Sequence, residues 1–173
     1  MDGEKMKKFL NKRGITLIEL MSTVVIIGIV SVMAVPRFQI AYDRLKFRSA
    51  NRGVVSTLRL ARSIAISSKA YIGLQIDPNS KVVTLFKKDS AGATSLTFES
   101  SDSTLRVDTL PVDFSYVGTD LGNNILVYKP NGAANFTGGG NIITMESTDR
   151  MTGIYHINVL GSTGRVHSTG YYY

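Results

Sequence analysis

Residues 15–35, ITLIELMSTVVIIGIVSVMAV, are apolar apart from small hydroxyls, Gly28 and a single carboxylate, Glu19. A helix of that length spans roughly 30 Å, about the thickness of a bilayer's hydrocarbon core. The run therefore predicts a membrane-spanning helix. Glu19 is its anomaly. A charge inside such a span costs about 2.5 kcal/mol or more, so an intramembrane carboxylate is read as functional by default. A lone carboxylate in lipid protonates or finds a cation.

Three readings fit the hydrophobicity. A cleaved secretory signal has a short apolar stretch with a small-residue site at its far end, whereas this run is long and ends in Val35-Pro36-Arg37. A plain single-span anchor accounts for the length and leaves Glu19 without a role. The third reading takes in the flanks: Lys12-Arg13 precede Gly14, then come Ile15, Thr16, Leu17 and Ile18, and Glu19 stands fifth after the glycine. This arrangement, with Pro36 directly after the span, resembles the processing site and N-terminal helix of type IV pilins and type II secretion pseudopilins.

The resemblance implies that a prepilin peptidase cuts between Gly14 and Ile15, and that Ile15, where the family usually has Phe, becomes an N-methylated terminus. It implies as partners the other pilins or pseudopilins of one filament and an inner-membrane assembly platform, with the lipid bilayer holding the helix before assembly. Glu19 becomes the assembly contact, pairing with the terminal amine of a neighbouring subunit. The division expected is a leader at 1–14, the transmembrane half of the helix at 15–35, its amphipathic half at 36–69 and a β-rich head at 70–173. Gly28 and Pro36 weaken the helix, since Pro removes a backbone donor and Gly costs about 1 kcal/mol relative to Ala. They read either as a kink or as bounds of a stretch that loosens in the fibre.

Charge follows the same division. The net charge is +7. The leader has five basic and two acidic residues, 15–69 has eight and two, and 70–173 has seven and nine. Positive charge sits on the helix and the head is slightly acidic, unlike a uniformly basic nucleic-acid-binding domain. With five basic residues before the span and Arg37, Arg44, Lys46 and Arg48 soon after it, the positive-inside rule does not orient the chain. The resemblance puts the leader in the cytoplasm and the head in the periplasm.

From Arg37 to Lys69 the period is helical. Phe47, Ala50, Val54, Leu58, Ala61 and Ala65 form one narrow apolar stripe, with Arg44, Arg48, Arg52, Arg59 and Arg62 on an adjacent face. That arginine face reads as a solvated surface, as a contact for lipid headgroups near the membrane, or as a contact for acidic neighbours. After Lys69 the period becomes two. A hairpin is expected at 71–86 around Asp77-Pro78-Asn79-Ser80, then short strands near 96–98, 105–107, 114–117, 125–128, 142–145, 154–160 and 165–166. The fold class expected is α+β: a long N-terminal helix packed on an antiparallel β-rich domain, as two sheets or one strongly curved sheet.

The last third carries a second resemblance. Tyr128-Lys129-Pro130-Asn131-Gly132, Phe136, the strand 154–159 and Gly161-Ser162-Thr163-Gly164-Arg165-Val166 look like the GspH/FimT branch of minor pilins. Some FimT-type members bind DNA through a Gly-Arg-x-Arg element; the matching positions here are Gly164-Arg165-Val166-His167, making Arg165 and His167 the DNA contacts of an alternative reading. Histidine is largely neutral at pH 7, and phosphate affinity grows with the number of paired cations.

No catalytic constellation emerges. The absence of Cys removes thiol nucleophiles, thiolate metal sites and disulfides. Two His residues without clustered carboxylates do not make a metal site, and Gly138–Gly140 has no Lys-Ser/Thr after it to complete a phosphate loop. The expectation is a non-enzymatic filament subunit without cofactor or metal. The closing Tyr171-Tyr172-Tyr173 reads as either a frayed end or an aromatic contact.

Overall fold

A computed structural model describes residues 14–89, 95–110, 116–137, 140–147 and 152–173. The expected leader up to Arg13, the start of the strand expected at 114–117 and Gly138-Gly139 lie outside the described residues. The chain divides into two compact units, Met1–Gln39 and Ile40–Tyr173. The boundary falls within one helix, α1 (Leu17–Ser68), which includes Gly28 and Pro36.

In the second unit the apolar stripe of α1 meets a β-structure. All six stripe residues are buried, and Leu58, Ala61 and Ala65 have no solvent exposure. Their small and medium side chains at steps of three and four let the helix lie close on a sheet. Among the described residues nine strands follow: β1 (Ile72–Asp77), β2 (Val82–Lys87), β3 (Ser103–Thr109), β4 (Tyr116–Thr119), β5 (Gly122–Tyr128), β6 (Ala134–Thr137), β7 (Ile142–Ser147), β8 (Gly153–Val159) and β9 (Val166–Tyr172). They form two antiparallel sheets, ordered β3-β2-β1-β5-β6 and β4-β7-β8-β9.

One core joins α1 to both sheets. It contains Leu58, Leu74, Leu85 and Leu126 beside Ile143, Met145 and Ile157. A second, smaller cluster of Phe86, Ile125 and Val127 lies apart from it, with Tyr71 and Leu96 packed against it. Strand β5 is buried on both faces, which explains its unbroken Ile125-Leu126-Val127-Tyr128 run.

Three differences from the sequence reading have physical causes. Residues 96–98 form no strand; Phe98 instead sets its ring edge-on against Phe86 at 4.8 Å between centroids. Strand β6 arises where the chain turns at 129–133 and comes back to pair Ala134 with Tyr128 and Phe136 with Leu126. Strand β9 extends to Tyr172, well past the pair of residues expected. The chain end is not frayed: Tyr172 stacks edge-on against Phe47 and Tyr155, and its hydroxyl meets those of Tyr155 and the Arg48 Nε–H. In each sheet an aromatic ring lies across a glycine on the paired strand, Phe86 over Gly73 and Tyr155 over Gly170. A side chain at either glycine would occupy the ring's place, which is why both stand within strands.

Candidate functional site

The first unit is built around the start of α1. Thr16 precedes the first helical residue, and its Oγ1 accepts from the Glu19 backbone N–H at 3.3 Å. Thr16-Leu17-Ile18-Glu19 thus has the spacing of a capping box, with Glu19 in the first turn where the helix dipole favours an anion. Gly14, Ile15 and Thr16 lie outside the helix, so the Gly14–Ile15 bond sits in non-helical chain immediately ahead of the cap. A Cβ at Gly14 would have no neighbour within 4 Å, and Ile15 is exposed.

Beyond the cap the helix presents apolar side chains all round. From Ile15 to Val35 its large apolar residues are each more than half exposed. Such a surface is unstable in water and demands lipid or other helices. The hydroxyls are arranged for that setting: Ser22, Thr23 and Ser31 donate to the carbonyls of Glu19, Leu20 and Ile27 at 2.7–2.9 Å, leaving few polar groups for the surroundings to satisfy. Among the described residues α1 is the helix long and apolar enough to cross a membrane.

The C-terminal motifs meet at Arg62 in the second unit. Its Nε–H donates to the Gly132 carbonyl at 3.2 Å and to the Thr163 carbonyl at 3.0 Å. One arginine on α1 thereby ties down both turns, 129–133 and 160–165. Gly132 and Gly164 take positive φ of 83° and 64°, a region that favours glycine. Below them lies Tyr128, fully buried, whose hydroxyl has no hydrogen-bond partner among the described residues. Burial pushes its phenol pKa well up, with the nearby Arg62 charge opposing. Because that hydroxyl was desolvated without a partner, Tyr128→Phe is expected to leave the head as stable as before or more stable by about 1 kcal/mol. Thermal unfolding checks this, and a marked loss of stability would show that the hydroxyl is bonded.

Arg165 joins this region and His167 does not. A cleft of about 280 Å³ is lined by Arg59, Arg62, Gly164, Arg165 and Val166. A second, of about 330 Å³, is lined by Asn51, Arg52, Val55, Ser56, Arg59 and Ser168. Arg59 borders both. His167 and His156 stand diagonally on β9 and β8, opposite Asn158 and Thr169, and His156 Nδ1 lies 3.3 Å from Thr144 Oγ1. No cluster of His, Cys, Asp or Glu suited to a metal occurs among the described residues.

The arginine face of α1 therefore splits. Arg48 and Arg62 bind the helix to the head, while Arg52 and Arg59 line the clefts. The sequence showed these arginines as a stripe, but their meeting with Arg165 depends on where the 160–165 turn lands.

Comparison with known proteins matches the start of the chain and, separately, its fold. Residues 10–35 match the family model of the prokaryotic N-terminal methylation motif. The fold is similar to the crystal structure of the type IV minor pilin FimU of Pseudomonas aeruginosa, with a TM-score of 0.52 at 16% identity over 73% of this chain and 90% of that one. It is also similar to the minor pseudopilin EpsH from the Type 2 Secretion System of Vibrio cholerae, with a TM-score of 0.50 at 16% identity over 70% and 93%. The chain thus carries a prokaryotic N-terminal methylation motif at the start of an apolar helix, and its fold is similar to that of a type IV minor pilin and of a minor pseudopilin.

Proposed function

We propose that this chain is a minor pilin or pseudopilin that helps start or tip a filament. Before assembly it is held in the bacterial inner membrane by residues 15–35, with its head in the periplasm. Prepilin peptidase cleaves Gly14–Ile15, Ile15 is then N-methylated, and the helix enters the filament from the assembly platform. The stretch between Gly28 and Pro36 is where the helix yields if it must extend on assembly.

The observation that carries this reading is the start of α1. A non-helical Gly14–Ile15 bond is followed by a Thr16 cap and by Glu19 in the first turn of a helix whose large apolar residues up to Val35 are each more than half exposed. Mass spectrometry of the chain purified from its own membranes is expected to find N-methylated Ile15 as the first residue. Recovery of Met1 or an uncleaved 1–14 segment would overturn the proposal.

The arginine-lined cleft supports a second reading, binding of a nucleic-acid backbone by the head. The cations available are Arg59, Arg62 and Arg165, more than the Arg165–His167 pair alone supplies. Fluorescence anisotropy with duplex DNA at low salt tests it. Binding that weakens with salt and with Arg59→Ala or Arg165→Ala, but not with His167→Ala, is the supporting outcome. Absence of binding at low salt removes this reading and leaves the first intact.

A further inference from the structure

Lys88 and Asp102 form an ion pair sealed from water. Both side chains have no solvent exposure, and Lys88 Nζ lies 3.0 Å from Asp102 Oδ2. The pairing of Lys87 with Ser103 is the last rung between β2 and β3, so the two residues face each other one step beyond the ladder. The ring of Phe86 is 5.9 Å from Nζ, and Phe86 belongs to the smaller apolar cluster with Ile125 and Val127.

A third carboxylate stands beside them. Glu99 Oε1 is 3.6 Å from Nζ, and its side chain is 40% exposed, so it reaches both the pair and water. The Asp102 carboxyl is also gripped by backbone donors: Asp89 N–H gives to Oδ1 at 3.1 Å and Glu99 N–H to Oδ2 at 2.9 Å. Nζ also donates to the Thr97 carbonyl at 2.8 Å. Burial pushes the Asp102 carboxyl up, but the bonds from Glu99 N–H, Lys88 and Asp89 N–H outweigh it and hold the group below the usual carboxylate range. Asp102 is therefore a carboxylate at neutral pH.

We propose that Lys88 and Asp102 condense to an intramolecular isopeptide bond, with Glu99 as the proton carrier. One proton passes from the ammonium to Oδ2 along their hydrogen bond, leaving an amine and a carboxylic acid. The Nζ lone pair attacks Cγ, and the oxyanion forms on Oδ1, where the Asp89 N–H stabilises it as an oxyanion-hole donor does. Glu99 takes a second proton from Nζ and delivers it to Oδ2. The Cγ–Oδ2 bond breaks, one water leaves, and the third Nζ hydrogen stays on the amide.

Two physical terms favour the step. The reacting groups are held in contact without a bimolecular encounter. Two desolvated charges, costly to keep in a protein interior, become one neutral amide whose N–H keeps the Thr97 carbonyl and whose oxygen keeps the Asp89 N–H. In a chain without Cys this bond is a covalent closure that needs no oxidant.

Tryptic mapping of the full chain under denaturing conditions tests the proposal. Trypsin cuts after Lys87 and Arg106. With the bond present, cleavage after Lys88 fails, peptide 88–106 is recovered one water lighter than its sequence mass, and Lys88 resists acetylation. Lys88→Arg is expected to abolish that species, and Glu99→Gln to slow its formation about 100-fold. Asp102→Asn is expected to give the same amide with loss of ammonia. Recovery of peptide 89–106 at full mass, or acetylation of Lys88 in a separately acetylated sample, overturns the proposal. So does a dehydrated peptide still cut after Lys88, the mark of a succinimide at Asp102.

Discussion

Gly164→Ala is expected to destabilise the head by about 3 kcal/mol or more, a fall in Tm of roughly 10 °C for a chain of this size. Three facts converge at this residue. Its φ of 64° is a conformation that L side chains rarely adopt. An added Cβ would land on the Gly132 carbonyl oxygen, a backbone atom that cannot swing aside, and would stand 2.9 Å from Tyr128 Cε1 and 3.2 Å from Arg62 Cδ. Movement of either turn also strains the Arg62 hydrogen bonds that hold both carbonyls. Gly53→Ala is the control: nothing lies within 4 Å of its added Cβ, and alanine in a helix interior is worth about 1 kcal/mol over glycine. Thermal unfolding of the two variants in detergent is expected to move in opposite directions. An unchanged Tm for Gly164→Ala would mean that the two turns do not meet as described.

That junction shows where the sequence was legible. The helix stripe could be read because its six residues, Phe47, Ala50, Val54, Leu58, Ala61 and Ala65, are all buried, so burial and period coincide. The Val82–Phe86 strand was readable for its run of strand-forming residues. Strand β6, Ala134-Asn135-Phe136-Thr137, has only a weak strand signal of its own; its pairing with β5 comes from the 129–133 turn. Strand β9 was hidden by His167-Ser168-Thr169-Gly170, a polar stretch whose glycine reads as a breaker until Tyr155 is seen lying over it. Leu96 and Phe98 misled for the converse reason. They are apolar enough for a strand, yet they serve the small cluster around Phe86.

The apolar run of α1 was readable from its length, but its start at Leu17 behind a Thr16 cap, two residues later than the run's first residue, was not, and the arginine cleft was only half readable. Gly164-Arg165 announces a turn and a cation. That Arg59 and Arg62 of α1 arrive beside it, separated by about a hundred residues of sequence, is a fact of packing. His167 shows the same limit from the other side. It is next but one to Arg165 in sequence, yet the cleft is lined by Val166 and Arg165 and not by the imidazole.

Glu19→Ala is expected to reduce recovery of the subunit in sheared filaments by about 100-fold or more, while its amount in the membrane stays the same or rises. Removing a carboxylate from an apolar span lowers the cost of insertion, by about 2.5 kcal/mol on insertion scales. If Glu19 pairs with a neighbour's terminal amine, its loss leaves an amine buried among apolar helices, and breaking a buried pair from one side costs about 3–5 kcal/mol. A competing account is local: Glu19 sits in the first turn of α1 and its backbone N–H is bonded to Thr16, so the substitution also weakens a cap. Losing an N-cap costs about 1 kcal/mol, too little for the expected effect. Thr16→Ala separates the two, since it removes the capping oxygen and keeps the carboxylate. Filament recovery that survives Thr16→Ala and fails with Glu19→Ala places the requirement on the charge. Equal loss in both variants would assign it to the helix end, and normal recovery of Glu19→Ala would remove the intersubunit pair from the mechanism.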